Sequence, residues 1–352
     1  MGRPLMSRER GGALLSVLWL TAALAAIAFS VATLVRAEVD RAGTNSDGAR
    51  AYFLARGGME RYFLELEESP LAVPGIQQSP VQIRQMLEAQ GRYLVYPLPE
   101  GEVHVEMIPE AGKLDLNAVG PLHIERVLLA MGVEADRIQR VTAAILDWRG
   151  GGPPRDPLAP GPFDALYLSR QPSFRPPRAS FQEIEELLLV EGMTPELYYG
   201  GYHRTANGNL VPHAGMRDCF TTLAPNVGPA PAVDVLSAAF PVLVAGGMMP
   251  QVAEEFVRVR QAPGFLPPEV LQRAMASMVA AGAAPINFAV GGRSIYTLRS
   301  TARLRTGEGK LSDTRRSVSA LVKFFPRPNE MYQILRWDDQ AMAQTLFTEA
   351  NP

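Results

Sequence analysis

The sequence predicts an α+β protein in which the first helix crosses a membrane and then packs on an antiparallel sheet that carries a large helical insertion. Residues 11–35 form an uninterrupted apolar run. Apolar and polar residues alternate at 92–117 and again after 284, and the stretch between these regions has a helical period. Strand patterns that stand apart from helix patterns along a chain are typical of the α+β class.

The apolar run is long enough to span a bilayer. Its 25 uncharged residues would form a helix about 37 Å long, against a hydrocarbon core of about 30 Å. A cleavable secretory signal has only about 7–15 apolar residues, so the run predicts a membrane helix. Arg3, Arg8 and Arg10 precede it against Glu9 alone, and the positive-inside tendency therefore leaves the amino terminus in the cytoplasm.

Beyond the apolar run, the first helix is predicted to continue in amphipathic form. Tyr52, Ala55, Met59, Tyr62 and Leu66 recur at spacings of three and four residues, which marks one face of a helix. We expect the sheet to cover this face.

The sheet is predicted from two separate parts of the chain. RYLVYPL and EVHVEMIPEAGKLDLN form a hairpin around a turn at residues 99–101. After residue 284, the segments INFAVGG, SIYTLRSTARL, RRSVSALVKFF and YQILRWDD predict three or four further antiparallel strands. One sheet interrupted by an inserted helical domain is the most economical arrangement of these strands.

The helical region is predicted to contain a duplicated helical hairpin. The segment from Asn117 aligns with the segment from Asn226 when one residue is skipped, and each Asn is a candidate helix cap. A second helical run follows each copy. The pattern predicts two helix pairs within residues 119–284.

No catalytic constellation is apparent in the sequence. The four histidines never form HExxH, no serine has the G-x-S-x-G context, and neither Gly-Lys pair has phosphate-loop spacing. Cys219 is the one cysteine, which excludes an intramolecular disulfide. We predict that the protein is not an enzyme.

A membrane-tethered DNA-binding or DNA-uptake protein is the alternative, because helical hairpins with glycine turns often bind DNA. The net charge of −2 and the balanced charges of the first helix pair argue against a nucleic-acid partner. A gel shift at low salt tests whether the protein binds DNA.

Four segments of the sequence resemble a known family. Arg10 and Gly11, followed by GALLS and a long apolar helix, are similar to the class III signal of type IV pilins and type II secretion pseudopilins. GKLDLNAVGP, AAILDWR and SFQEIEELLLVEGMTPELYYG resemble the K-type minor pseudopilins, the general secretion pathway protein K family.

The resemblance implies a processed assembly component of a type II secretion system. A prepilin peptidase would cut between Gly11 and Gly12 and methylate the new amino terminus. Ser16 would be the fifth mature residue, where most pseudopilins carry glutamate and the K type does not. The protein would be a single-pass inner-membrane protein with a periplasmic carboxy-terminal part. With I- and J-type minor pseudopilins it would cap the pseudopilus tip, beside other pseudopilins.

The resemblance also implies a division of the chain. We expect a leader at 1–11, a transmembrane helix at 12–35 and a pilin-like α+β domain formed by 36–118 and 285–340. The helical domain inserted at 119–284 would hold two helical hairpins of the SAM-like type, and residues 341–352 would be a tail.

Calcium is the one cofactor that the resemblance leaves open. Relatives bind it in the loop after the AAILDWR-like helix, which here offers Asp147, Asp156 and Asp164. Calcium prefers six to eight oxygen ligands, and Arg149 and Arg155 compete for the three carboxylates. In the alternative, Asp147 and Asp164 pair with arginines or cap helices.

Overall fold

The computed structural model describes residues 10–67, 93–150, 161–204, 210–223, 232–261, 266–280, 286–291, 294–307, 309–327 and 330–341. Most of the predicted leader, Asp156, Asn226 and the tail from residue 342 lie outside these ranges. The helices are α1 (Arg10–Glu67), α2 (Pro121–Ala130), α3 (Ala135–Trp148), α4 (Asp164–Leu168), α5 (Pro195–Tyr199), α6 (Met216–Cys219), α7 (Phe240–Ala245), α8 (Pro250–Gln261) and α9 (Pro268–Ala280). The strands are β1 (Tyr93–Leu98), β2 (Gly101–Pro109), β3 (Leu114–Asp115), β4 (Gly201–Arg204), β5 (Leu210–His213), β6 (Phe220–Thr221), β7 (Val233–Asp234), β8 (Phe288–Ala289), β9 (Ile295–Arg305), β10 (Leu311–Arg327) and β11 (Glu330–Ala341).

Helix α1 is continuous over 58 residues and has two different halves. Its most apolar stretch has a mean hydropathy of 2.2 and is not buried, and α1 is the one helix of the described ranges that could cross a membrane by length and composition. In the second half, Ala51, Ala55, Met59 and Tyr62 are fully buried. Ala55, Met59 and Tyr62 lie on the predicted face, whereas Tyr52 is only partly buried and donates its hydroxyl to Asp339 at 2.8 Å.

The main sheet has five antiparallel strands in the order β1, β2, β9, β10, β11. Strand β2 pairs with β9 from Gly101 opposite Leu304 to Pro109 opposite Tyr296, although the helical region separates these strands in the chain. The predicted α+β class, with an apolar first helix on an antiparallel sheet, is confirmed.

One predicted strand lies elsewhere. In the segment INFAVGG only β8 is extended, and it pairs in parallel with β7 rather than joining the main sheet. The amide of Val233 donates to the carbonyl of Asn287 at 2.8 Å, and the amide of Gly291 donates to the Asp234 carboxylate at 2.9 Å. These bonds hold the segment against the helical region, so three strands after residue 284 enter the sheet.

Two similar helical hairpins are present in the helical region, one made by α2 and α3 and one by α7 and α8. The carbonyl of Asp115 accepts from the amide of Val119 at 2.8 Å, as the carbonyl of Asp234 accepts from the amide of Ala238 at 3.0 Å. Each helix pair turns at a glycine with positive φ, Gly132 at 78° and Gly247 at 100°.

The register of these hairpins differs from the predicted alignment. Asp115 corresponds to Asp234, and Asn117 is not a helix cap. Instead, the Asn117 side chain donates to the Phe181 carbonyl at 3.0 Å and accepts from the Phe181 amide at 2.8 Å. Helices α2 and α7 each carry proline in their first turn, so their starts need no Asn cap.

The described residues form two hydrophobic cores. One lies between α1 and the main sheet and includes Met59, Tyr62, Val103 and Val318. The other lies inside the helical region around α2, α3 and α7. Arg336 of β11 contacts Glu183 at 3.3 Å and Glu185 at 3.4 Å and so links the sheet to the helical region.

Candidate functional site

Three hydroxyl groups in the apolar half of α1 are hydrogen-bonded within the helix. The Ser16 hydroxyl donates to the Gly12 carbonyl at 3.0 Å, and Thr21 and Thr33 donate to Leu18 and Ser30 carbonyls at 2.9 and 2.8 Å. Polar groups in lipid need such internal partners. Ser16 therefore places no unsatisfied hydroxyl on the helix surface.

The predicted cleavage site lies at the start of α1. Gly11 and Gly12 are both helical, directly after Arg10, the first residue of the helix. Removal of residues 1–11 would leave the apolar half of the helix whole. Cleavage between Gly11 and Gly12 stays a prediction.

The second half of α1 is fastened to the sheet by polar bonds as well as by packing. The Ser300 hydroxyl of β9 donates to the Ala55 carbonyl at 2.6 Å. The Tyr96 hydroxyl of β1 donates to the Glu65 carboxylate at 2.7 Å. Burial is the main cause that raises the pKa of Tyr96, and this hydrogen bond is the second. The helix is thereby held in one register on the sheet.

Three of the motifs that carry the family resemblance meet at one place in the helical region. Asn117 of GKLDLNAVGP makes two hydrogen bonds to the backbone of Phe181, which belongs to SFQEIEELLLVEGMTPELYYG. Trp148 of AAILDWR stacks on the Phe181 ring, with ring centroids 6.1 Å apart. The Trp148 indole donates to the Glu186 carboxylate at 3.1 Å. The motifs thus form the packing centre of the first helical hairpin.

The acidic loop lies beside this centre. Asp147 near the end of α3 and Asp164 at the start of α4 are both buried, at 8% and 3% exposure. Arg178 lies between them, with its Nη2 2.5 Å from Asp164 Oδ1 and its Nε 3.8 Å from Asp147 Oδ1. The alternative pairing with an arginine is thus present in the structure.

Asp164 also has a backbone partner. The Gly161 amide donates to its second carboxylate oxygen at 3.0 Å. This backbone bond, and then the charge of Arg178, lower the pKa of Asp164 below its ordinary value, although burial opposes them. Asp164 is therefore held as an anion.

The described ranges contain no group of three or more His, Cys, Asp or Glu side chains that could hold a metal ion. Cys219 is buried, and burial raises the pKa of its thiol well above the ordinary value, which disfavours a reactive thiolate. The calcium prediction for Asp147, Asp156 and Asp164 stays a prediction, since Asp156 lies outside the described ranges.

Sequence reasoning missed Arg178 as the partner of the two carboxylates. Arg178 follows two prolines in a segment without helical or strand period, and no pattern there indicates an ion pair with buried carboxylates. Its backbone φ of 48° gives no signal in the sequence either, because arginine rarely adopts this conformation.

Comparisons with known proteins agree with the motifs. Residues 111–200 match the family model described as type II secretion system (T2SS), protein K. Type II secretion system protein K of Klebsiella pneumoniae is 26% identical over 204 residues, which cover 54% of this chain and 60% of the relative. The protein of the same name from Pectobacterium carotovorum subsp. carotovorum is 26% identical over 207 residues, 54% of this chain and 61% of the relative. The match therefore spans about three fifths of these curated relatives.

A solved structure shows a weaker likeness. A chain in the crystal structure of the GspK-GspI-GspJ complex from the enterotoxigenic Escherichia coli type 2 secretion system is 14% identical. The match covers 88% of this chain and 99% of that chain, with a TM-score of 0.46.

Fold and site together define a class of protein: one helix suited to cross a membrane, packed by its second half on an antiparallel sheet, with a helical region between the strands of that sheet. The particular family that the chain resembles is indicated by residues 111–200, which match the model of type II secretion system protein K. The resemblance predicted from the motifs is confirmed.

Proposed function

We propose that this protein is a minor pseudopilin of a type II secretion system. The proposal is carried by one combination of features: the chain has both a segment that matches protein K and a long first helix. The first half of this helix is apolar and exposed, and its second half is packed on a sheet. Such a helix anchors the folded part at the inner membrane. The charge bias before the helix favours a periplasmic carboxy-terminal part.

We further propose that the protein caps the tip of the pseudopilus. A carboxylate at the fifth mature position would need a cation from the subunit ahead, and an unpaired charge in an apolar setting is costly. Ser16 requires no such cation, because its hydroxyl bonds the Gly12 carbonyl within the helix. A subunit with no neighbour ahead of it can therefore be stable.

The bulk of the helical region supports the same position. We propose that residues 119–284 form an inserted domain with two hairpins of the SAM-like type, carried by a sheet domain of residues 36–118 and 285–340. An insertion of this size is hard to repeat along a tightly packed filament and is easily carried at one end.

The proposed partners are I- and J-type minor pseudopilins, with which the protein would help to initiate pseudopilus assembly for the export of folded proteins across the outer membrane. Its role would be structural and not enzymatic. A prepilin peptidase would process it before assembly.

Co-purification from membranes tests this function. The full chain, co-expressed with a prepilin peptidase and with I- and J-type subunits, is expected to retain both partners in detergent. Ser16→Glu is expected to reduce secretion in a strain that lacks its own K-type subunit, while Ser16→Ala supports secretion at the level of the unaltered chain. Loss of both partners from the unaltered chain would refute the tip role.

A further inference from the structure

The two carboxylates at the acidic loop already have a cationic side chain as a shared partner. Asp147 and Asp164 converge on Arg178, whose guanidinium lies 2.5 Å from Asp164 and 3.8 Å from Asp147. We propose that Arg178 is a built-in cation that holds Asp147 and Asp164, on either side of this loop, together in place of a divalent metal ion.

The described residues do not fit calcium at this position. A calcium ion needs six to eight oxygens and tolerates no cationic group among them. Asp147 and Asp164 provide carboxylate oxygens, but the positively charged guanidinium of Arg178 lies between them. Asp164 also accepts a hydrogen bond from the Gly161 amide. An ion placed between Asp147 and Asp164 would have to displace Arg178.

The surrounding backbone leaves room for Arg178. A Cβ added to Gly161 would overlap the guanidinium, and a Cβ added to Gly150 would approach the Arg178 carbonyl at 2.8 Å. Both glycines border the acidic loop, one at each end. A side chain at either position would push Arg178 away from the carboxylates.

Arg178 is also held in an unfavourable backbone conformation. It is the one non-glycine residue of the described ranges with positive φ, at 48°. Such residues persist where the surrounding structure determines their conformation. The amide of Ala179, the next residue, donates to the Trp148 carbonyl at 3.2 Å and so ties Arg178 to the end of α3.

Thermal unfolding of the processed full chain in detergent tests the proposal, with tryptophan fluorescence as the readout because Trp148 packs beside the site. The Tm of the unaltered chain is expected to be the same in EDTA and in calcium chloride. Arg178→Gln is expected to lower the Tm by about 5–10 °C, because it removes the guanidinium that two buried carboxylates share. The matched control is Arg175→Gln, an exposed arginine of the same segment whose charge acts on Asp164 less strongly than that of Arg178, and this variant should shift the Tm by less than about 2 °C.

A double variant separates this role from simple packing. Asp164→Asn combined with Arg178→Gln should recover part of the Tm lost in Arg178→Gln, because one of the two carboxylate charges that faced the guanidinium is gone. If Arg178→Gln does not accumulate, Arg178→Lys keeps the charge and loses the guanidinium geometry, and an intermediate Tm is expected. A Tm of the unaltered chain that falls in EDTA, equal effects of the Arg178 and Arg175 variants, or strictly additive losses in the double variant would each overturn the proposal.

Discussion

Gly58 sets how closely α1 approaches the sheet. A Cβ at this position would overlap the Val103 side chain of β2 and lie 3.1 Å from the Ser300 hydroxyl of β9. The adjacent Gly57 is exposed and has no atom near its missing Cβ. Two neighbouring glycines in one helix therefore have opposite roles.

We expect Gly58→Ala to lower the free energy of unfolding by about 1–3 kcal/mol, because the added methyl group overpacks the interface. Gly57→Ala is the matched control and should raise it by about 0.5–1 kcal/mol, since alanine favours the helix. Denaturant titration of both variants in detergent measures the difference. Equal effects at the two positions would show that close approach at Gly58 is not required.

Processing can be tested at the start of the same helix. Gly11→Leu should abolish cleavage by a co-expressed prepilin peptidase, because a bulky residue would replace the last residue of the leader. Gly12→Ala, on the other side of the predicted bond, should still be cut. Gel mobility and the mass of the mature amino terminus report the result. A mature chain that begins at Ala13 would move the site by one residue.

Residue identity predicted local roles and missed distant partners. The buried face of α1 was predictable because its spacing is a property of neighbouring residues, and Met59 and Tyr62 lie where the pattern places them. Asn117 was predicted to cap a helix, but it bonds Phe181, 64 residues away. A cap pattern contains no information on such a partner.

At the scale of elements, an arginine closes each helical hairpin. Arg149, directly after α3, donates to the carbonyls of Leu116 and Val119 at 2.5 and 2.6 Å. Arg260, near the end of α8, donates to the carbonyls of Val235 and Ala238 at 2.9 and 2.8 Å. Each guanidinium ties the end of its hairpin to the turn that begins it.

Replacement of Arg149 should therefore loosen the first hairpin. Burial partly desolvates its guanidinium, which lowers the pKa of this group. We expect Arg149→Leu to cost about 2–4 kcal/mol of the free energy of unfolding, because two carbonyls lose their donor. Arg140→Leu, at an exposed position of α3, should change it by less than about 0.5 kcal/mol. Comparable losses in both variants would contradict the closing role.

The helix pairs were predictable and their register was not. Helical period and glycine turns are local, and both pairs are present. The alignment of Asn117 with Asn226 relied on a Gly-Pro that follows each Asn, with one residue skipped. The structural correspondence of Asp115 and Asp234 depends instead on backbone bonds in the turns and on the closing arginines. Few identical residues accompany these bonds.

For the whole molecule, the arrangement of the sheet determines where the helical region can be removed. The two ends of this region are neighbours, because Pro109 at the end of β2 pairs with Tyr296 near the start of β9. The core between α1 and the sheet contains residues from outside the helical region only. The sequence predicted this arrangement because the strand patterns flank the helical pattern, but it could not show which strands are neighbours.

We therefore expect a chain in which a short glycine-containing turn replaces residues 111–293 to fold as α1 and its sheet. A tight antiparallel turn can join β2 to β9 without changing their pairing. The excised chain should insert into membranes, show a strand-rich circular dichroism spectrum and unfold cooperatively, yet fail to restore secretion. A matched control that also lacks β9 and β10 should not unfold cooperatively, because the remaining strands cannot cover α1. Aggregation of the excised chain together with the control would show that the sheet needs contacts such as those of Arg336 with Glu183 and Glu185, and that the helical region is part of one folding unit.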